Sequence, residues 1–439
     1  MTRACKTIAL WGHFADANLG DEAPPTAVLH HLRRMLPEAK FVLICRFPHI
    51  AQATYGLPAY PIARLRASRT GPWQPPPVPP TDPDDPSEAP STGAWRGRLR
   101  RFLPLRVAVL LARAAWQILR SIGPEARFLW RSYRTLQGVD LLIVTGSGPI
   151  FDYFGGFWGF PVTVWKWATL TRLTGTRLAF ASVGAGPIGS RRSGRLLARA
   201  LRHAEYVAFR DQRSRLLMEK HGYSEPSVVR PDLAHSLPRP EAAPAAPRPL
   251  RVGINPMIVH NPTFWPGSDE TVYQRYIKVL AALAIELERD GCDVFFYGTQ
   301  KDDGVASAEV QAAIEQAEPL ARVPAFVFPA SVDALAGLSS GADILVTTRF
   351  HGAVFGVMTC TPTVAICYQA KTLEVMEQAG IEEFAFAFED INAAQLREAL
   401  DAAVARRRDI TAALRRHAVV TRTQLDEQYK WLAELLGPT

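Results

Sequence analysis

The stretch ADILVTTRFHG (342–352) decides how this chain is read. ADILVTT (342–348) is a short apolar run of strand character, and the pattern predicts a helix starting near Gly352. A strand feeding directly into a helix is the repeating unit of an α/β protein. The turn between them, T-T-R-F-H-G (347–352), is also the richest chemical constellation in the sequence. A helix N-terminus presents unpaired N–H groups and the positive end of the helix dipole, which together favour an anion. Arg349 adds a planar, bidentate donor suited to phosphate or carboxylate. His351 adds a group that moves a proton near neutral pH. The competing reading is an arginine in a structural ion pair and a histidine capping a helix. The coincidence of three anion-friendly features favours the functional one.

The same alternation extends in both directions from this turn. Towards the N-terminus lie strands RVGIN (251–255), VFFYGT (294–299) and AFVFP (325–329), separated by helices over 270–290 and 303–317. Towards the C-terminus, TVAICY (363–368) leads into the helix KTLEVMEQAG (371–380), and helices follow from about Ala393. An earlier set comprises strands KTIALW (6–11), FVLICR (41–46), LLIVTG (141–146), RLAFASVG (177–184), YVAFR (206–210) and SVVR (227–230). There the first loop spans GHFADANLGDE (12–22), the helix after it covers Pro25–Leu36, and another covers 211–222. The fold class expected is therefore α/β with parallel sheets, in two Rossmann-like lobes with a cleft between them. The segment 237–250 has five prolines in 14 residues and reads as a linker. The expected boundaries are 1–240 for the first lobe, 241–250 for the linker, 251–400 for the second lobe and 401–439 for C-terminal helices.

Two parts of the first lobe do not fit the alternation. Residues 71–91 carry nine prolines in 21 positions, a composition expected to form a disordered or extended insertion. The basic segment 96–136 has helical apolar periodicity interrupted by arginines. Between Arg96 and Arg134 there are ten arginines and one acidic residue, Glu125. The whole chain carries a net charge of +8, so the remainder is close to neutral. A basic amphipathic helix with aromatic residues fits peripheral contact with an anionic membrane surface, and equally a domain helix with a solvated face. Nucleic acid is not an expected partner, because the rest of the chain has no basic excess. The five cysteines are sparse and form no CxxC pair, so neither a disulfide framework nor a zinc site is suggested. No apolar stretch approaches the roughly 20 residues of a membrane-spanning helix, and the start shows no secretory signal. The expected location is cytoplasmic, with peripheral contact at the inner face of the membrane if 96–134 binds lipid.

Further candidates sit at the carboxyl ends of other strands, where open α/β sheets bind ligands. Lys371 follows TVAICY, next to the strand of Arg349; spacing leaves it open between a solvated lysine and a ligand contact. Arg210 ends YVAFR, with Asp211 opening the next helix; a local ion pair and ligand binding are both open. The glycines of TGSGP (Gly146, Gly148) and VGAGPIG (Gly184, Gly186) let backbone approach a ligand, although tight turns need glycine too. VGAGPIG has GxGxxG spacing, but Pro187 and the missing acidic partner argue against a dinucleotide site. Asp21 in NLGDE and Asp232 in RPD lie on such loops, with capping or turn roles as their default. His13, Trp11, Trp158, Trp165 and Trp167 can line a sugar site, but packing is the default for most of them. There is no metal-ligand spacing and no GxSxG turn, so no metal or other cofactor is expected.

Taken in order, GH…NLGDE, VTGSGP, SVGAGP, FRDQRS, RPD, TTRFHG and CYQAK resemble the polysaccharide pyruvyl transferase family. The similarity spans nearly the whole chain except 57–137 and the C-terminal helices, and Gly146-Ser147-Gly148 stands where the family has a glycine triplet. The resemblance implies a two-lobed fold similar to the GT-B glycosyltransferases. It implies transfer of a pyruvyl group from phosphoenolpyruvate to a saccharide acceptor, free or lipid-linked, forming a pyruvate ketal. It assigns Arg349 and His351 to donor holding and proton transfer, links Arg210 to the donor, and matches Lys371 to the family's lysine. Two other readings compete: a GT-B-like glycosyltransferase using a nucleotide sugar, and a non-catalytic polysaccharide-assembly protein.

Overall fold

The structure is a computed structural model that describes residues 5–16, 18–64, 122–146, 148–153, 155–240, 248–265 and 268–437. The proline-rich 71–91 and most of the basic segment lie outside the described residues, and with them the expectations placed there. Two parallel sheets organise the chain. The first contains β1 (Thr7–Trp11), β2 (Lys40–Cys45), β3 (Ala59–Pro61), β4 (Leu141–Thr145), β5 (Arg177–Val183), β6 (Tyr206–Phe209) and β7 (Val228–Val229), in the order β3-β2-β1-β4-β5-β6-β7. The second contains β8 (Arg251–Asn255), β9 (Asp293–Tyr297), β10 (Phe326–Val327), β11 (Ile344–Thr347), β12 (Thr363–Cys367) and β13 (Ala385–Ala387), in the order β10-β9-β8-β11-β12-β13. Each sheet reverses strand order once, between β1 and β4 in the first lobe and between β8 and β11 in the second. Such a switch point leaves a crevice at the carboxyl ends of the strands, the usual place for a ligand in this architecture.

The helices are α1 (Leu19–Met35), α2 (Pro48–Tyr55), α3 (122–136), α4 (Phe160–Thr174), α5 (Arg191–Leu201), α6 (Gln212–Lys220) and α7 (Glu270–Arg289). They continue as α8 (Asp303–Ala317), α9 (Val332–Ser340), α10 (Phe350–Thr359), α11 (Ala370–Ala379), α12 (Ala393–Ala405) and α13 (Arg407–Glu434). Central strands are buried on both faces, as parallel strands covered by helices must be: Leu141, Leu142 and Ile143 have no exposed surface. The last helix does not form a separate unit. α13 crosses back to the first lobe, where Leu425, Tyr429 and Leu432 are buried in a core shared with α1. Gln428 donates to the Ser182 hydroxyl at 3.0 Å, and the Tyr429 hydroxyl lies 2.8 Å from that of Ser236. Among the described residues, no helix is long and apolar enough to cross a membrane.

Two expected boundaries move. The first helix begins at Leu19, not Pro25, so NLGDE is its cap and first turn instead of a loop. Proline is favoured in a first helical turn, and Pro24-Pro25 imitates a helix start. The real start is fixed by Asn18, whose Oδ1 accepts from Gly20 N at 3.1 Å, and by a bond from Leu19 N to Thr299 O of the other lobe at 2.9 Å. The helix after β11 begins at Phe350, two residues before Gly352, so His351 lies in its first turn. The β3 and β13 edge strands and helices α2 and α4 are also absent from the sequence reading. The edge strands are only three residues each, too short to show a period.

Candidate active site

The switch point of the second lobe places Asn255, at the end of β8, beside the turn that follows β11. Thr347 Oγ1 donates to Asn255 Oδ1 at 3.2 Å. Helix α10 enters so close to the strand that a Cβ on Gly352 would lie 1.9 Å from Thr347 Oγ1, so only glycine fits there. This holds Arg349 in extended backbone at the cap position of α10. Its Nε and Nη2 both lie 2.6 Å from Asp303 Oδ1. Asp303, the first residue of α8, has no exposed surface, and its Oδ2 accepts from Thr299 N at 2.8 Å and Gln300 N at 3.0 Å. The structural ion pair left open for Arg349 is therefore present, made through Nε and Nη2.

His351 meets the first lobe. A Cβ on Gly20 would fall 2.0 Å from its Nδ1, so the first turn of α1 packs directly on the imidazole. Its Nε2 is buried and has no hydrogen-bond partner among the described residues. Burial lowers its pKa to about 4, with Lys371 and Arg210 acting in the same direction and Asp21 and Asp232 opposing them. The ring is therefore neutral at pH 7, and no hydrogen bond among the described residues engages Nε2.

Phe350 is the platform on which the cations gather. The Arg210 guanidinium carbon lies 4.5 Å from its ring centroid, and Lys371 Nζ lies 5.2 Å away. Arg210 Nη1 is 3.3 Å from Asp232 Oδ2, and Nε is 3.6 Å from Asp211 Oδ2. Both aspartates also cap: Asp232 Oδ1 accepts from Ala234 N at 3.0 Å and Asp211 Oδ1 from Ser214 N at 2.6 Å. Lys371, in the first turn of α11, makes no ion pair among the described residues. Burial, with Arg210 and Arg349 adding repulsion, lowers its pKa to about 8 against the opposing pull of Asp21. Asp21 accepts from Asn18 Nδ2 at 2.8 Å and lies 3.9 Å from His13 Nδ1. Its burial would raise its pKa, but contact with His13 and the nearby charges of His351 and Lys371 leave it lowered.

Of the sequence candidates, Arg349, His351, Arg210, Lys371, Asp21 and Asp232 converge here. The glycine loops contribute less directly. Gly146, at φ +39, packs against Pro24 of α1, where a Cβ would lie 2.5 Å from the proline Cβ. Gly148 is half-buried, with no atom near its Cβ position. Gly184 directly follows β5, and Gly186 is bonded from its N–H to Ile150 O at 2.8 Å. The amides beyond it, Gly189 N and Ser190 N, already donate to Asp152 at 2.8 and 2.9 Å, so a protein carboxylate fills that anion-friendly turn. Trp11 and Trp167 are core residues, whereas Trp158 is 81% exposed. Sequence reasoning missed Asp303 and Phe350. An aspartate after GTQKD reads as a helix cap, and a phenylalanine between two polar residues reads as core.

Two half-buried histidines predict acid sensitivity. His351 and His235 are both lowered to about 4, chiefly by burial, whereas the unfolded chain takes up these protons near 6.5. The unfolded state thus binds more protons throughout that interval, and stability is lost as pH falls from 6.5 towards 4. Thermal melts should show Tm level from pH 8 to 7 and dropping progressively below 6.5; an unchanged Tm at pH 5 contradicts these assignments.

A family model described as polysaccharide pyruvyl transferase matches residues 108–369. Among solved structures, the Anabaena protein HepE in complex with UDP and glucose is similar over 98% of this chain and 99% of its own, with 10% identity and a TM-score of 0.56. A Rickettsia africae glycosyltransferase covers 100% of both chains at 11% identity and a TM-score of 0.54. The UDP-GlcNAc 2-epimerase of Methanocaldococcus jannaschii covers 90% and 92% at 9% identity and 0.53. At these identities the likeness concerns the fold, which is the two-domain GT-B arrangement. Among curated protein sequences, none matches this chain.

Proposed function

The chain belongs to the polysaccharide pyruvyl transferase family, and on that premise we propose that it moves a pyruvyl unit from phosphoenolpyruvate to a saccharide, closing a cyclic ketal. The saccharide is a unit of a cell-surface polysaccharide or of its lipid-linked precursor. The observation that carries this reading is Lys371, a half-buried cation that makes no ion pair among the described residues, beside Arg210 and Arg349. A desolvated charge is costly and is balanced when an anion binds beside it. Phosphoenolpyruvate brings about three negative charges in two groups, phosphate and carboxylate. Lys371, Arg210 and Arg349 supply positive charge close to His351.

In this reaction the methylene carbon of the donor gains a proton, and one sugar hydroxyl adds to the neighbouring carbon. The bond to phosphate breaks, and a second hydroxyl closes the ketal. Of the two hydroxyl protons, one is accounted for in the new methyl group and the other on the departing phosphate. The chain's part is a proton shuttle with no net gain or loss. His351 enters neutral, and a bound trianion raises its proton affinity, so it can both take and return a proton.

Lys371→Met should weaken phosphoenolpyruvate binding roughly 10- to 100-fold, the worth of one charge-assisted contact of about 1.5–3 kcal/mol. Tm should not fall, because the substitution removes a desolvated charge that makes no ion pair among the described residues. With wild type, affinity should hold below pH 8 and then drop by up to tenfold per pH unit as Lys371, with a pKa of about 8, loses its proton. Lys371→Arg should abolish that alkaline limb. Calorimetry across pH 7 to 9.5 makes the measurement, and an affinity indifferent to Lys371→Met removes the reading.

A further inference from the structure

The donor cations leave open how the acceptor reaches the reacting carbon, and the first lobe offers one continuous set of polar groups for it. Its switch point lies between the ends of β1 and β4. From there His13 reaches Asp21 at 3.9 Å and Asp16 at 3.8 Å. Asp16 accepts from Arg46 Nη1 at 3.1 Å, and the same nitrogen lies 3.5 Å from His13 Nε2. Asp21 is adjacent in sequence to Gly20, which touches His351. A polar cluster thus runs from Arg46 to Asp21, whose neighbour Gly20 packs on the imidazole. One side of it is aromatic: Phe160 meets the His13 ring edge-on at 5.7 Å, and Phe151 lies 4.5 Å from Phe160.

Two features separate this cluster from a structural network. Its side chains are accessible, with 29% of His13, 32% of Asp16 and 43% of Arg46 exposed, whereas the Arg349–Asp303 pair is 14% and 0% exposed. It also combines alternating hydrogen-bond donors and acceptors with ring faces, the combination that a pyranose needs for its hydroxyls and its apolar face.

We infer that His13, Asp16, Arg46 and Phe160 form the acceptor subsite, binding a pyranose unit so that a hydroxyl pair faces His351. This assignment rests on the proposed function, because it takes the donor to occupy the cation side.

The test uses the full chain saturated with phosphoenolpyruvate and a panel of glucose, galactose, mannose and N-acetylated hexosamines, followed by saturation-transfer NMR. Wild type is expected to transfer saturation to at least one sugar. Asp16→Ala and Arg46→Ala should each lower that signal at least fivefold, and Arg46→Lys should restore part of it. Phosphoenolpyruvate affinity and Tm, measured on the same samples, should stay within twofold and within a few degrees of wild type. Sugar binding that survives both substitutions, or no transfer to any sugar with wild type, overturns the subsite. Loss of phosphoenolpyruvate binding in wild type itself would instead count against the donor assignment.

Discussion

His351→Ala is expected to slow phosphate release from phosphoenolpyruvate, measured with the acceptor present, by about 10²–10⁴-fold, the usual worth of a positioned proton-transfer group. Donor affinity should change by less than threefold, since an imidazole with a pKa of about 4 carries no charge to the site at pH 7. The split between turnover and binding is the informative part. A residue that only filled space against Gly20 would be replaced well by glutamine, which keeps bulk and polarity. His351→Gln should therefore be as slow as His351→Ala. Neither variant should unfold the protein, because Nε2 has no hydrogen-bond partner among the described residues to lose. Recovery of activity by glutamine would reduce His351 to packing.

Asp303→Ala is expected to lower the unfolding free energy by about 3–5 kcal/mol, the cost of leaving one member of a buried ion pair alone. Arg349 would lose its two 2.6 Å contacts, and Thr299 N and Gln300 N would lose their acceptor. The loss would spread to the lobe interface, because Thr299 O accepts from Leu19 N and Gln300 pairs with Asn18. Arg349→Ala should cost a comparable amount, since it strands a carboxylate with no exposed surface. An apolar double replacement, Asp303→Leu with Arg349→Met, should recover most of the stability but not the activity. Urea unfolding measures all three. Single substitutions costing under 1 kcal/mol would show that the pair is not the anchor described here.

The α/β class was legible because parallel strands buried on both faces are nearly continuous apolar runs, as in LLIVT and TVAIC. The turn carrying Arg349 and His351 was legible too, since a strand ending in polar residues before a helix needs no tertiary information. Asp303 was not. Its importance lies in meeting Arg349 across 46 positions of sequence, and locally it is one more aspartate at a helix start. The start of α1 was misread for the same reason. Pro24-Pro25 speaks locally, whereas the bond from Leu19 N to Thr299 O comes from the other lobe. Lys371 stood undecided on spacing; its nearness to Phe350 and Arg210 appears only once α11 is placed beside α10.

We propose that the cation cluster around Phe350 takes phosphoenolpyruvate, although the fold is shared with a protein solved in complex with UDP. Calorimetric titration of the wild-type chain at pH 7 with phosphoenolpyruvate, and separately with UDP and UDP-glucose, tests it most directly. Saturable binding of phosphoenolpyruvate, at least tenfold tighter than either nucleotide, is the predicted result. Tight binding of UDP or UDP-glucose with none of phosphoenolpyruvate would contradict it and make the chain a nucleotide-sugar enzyme instead.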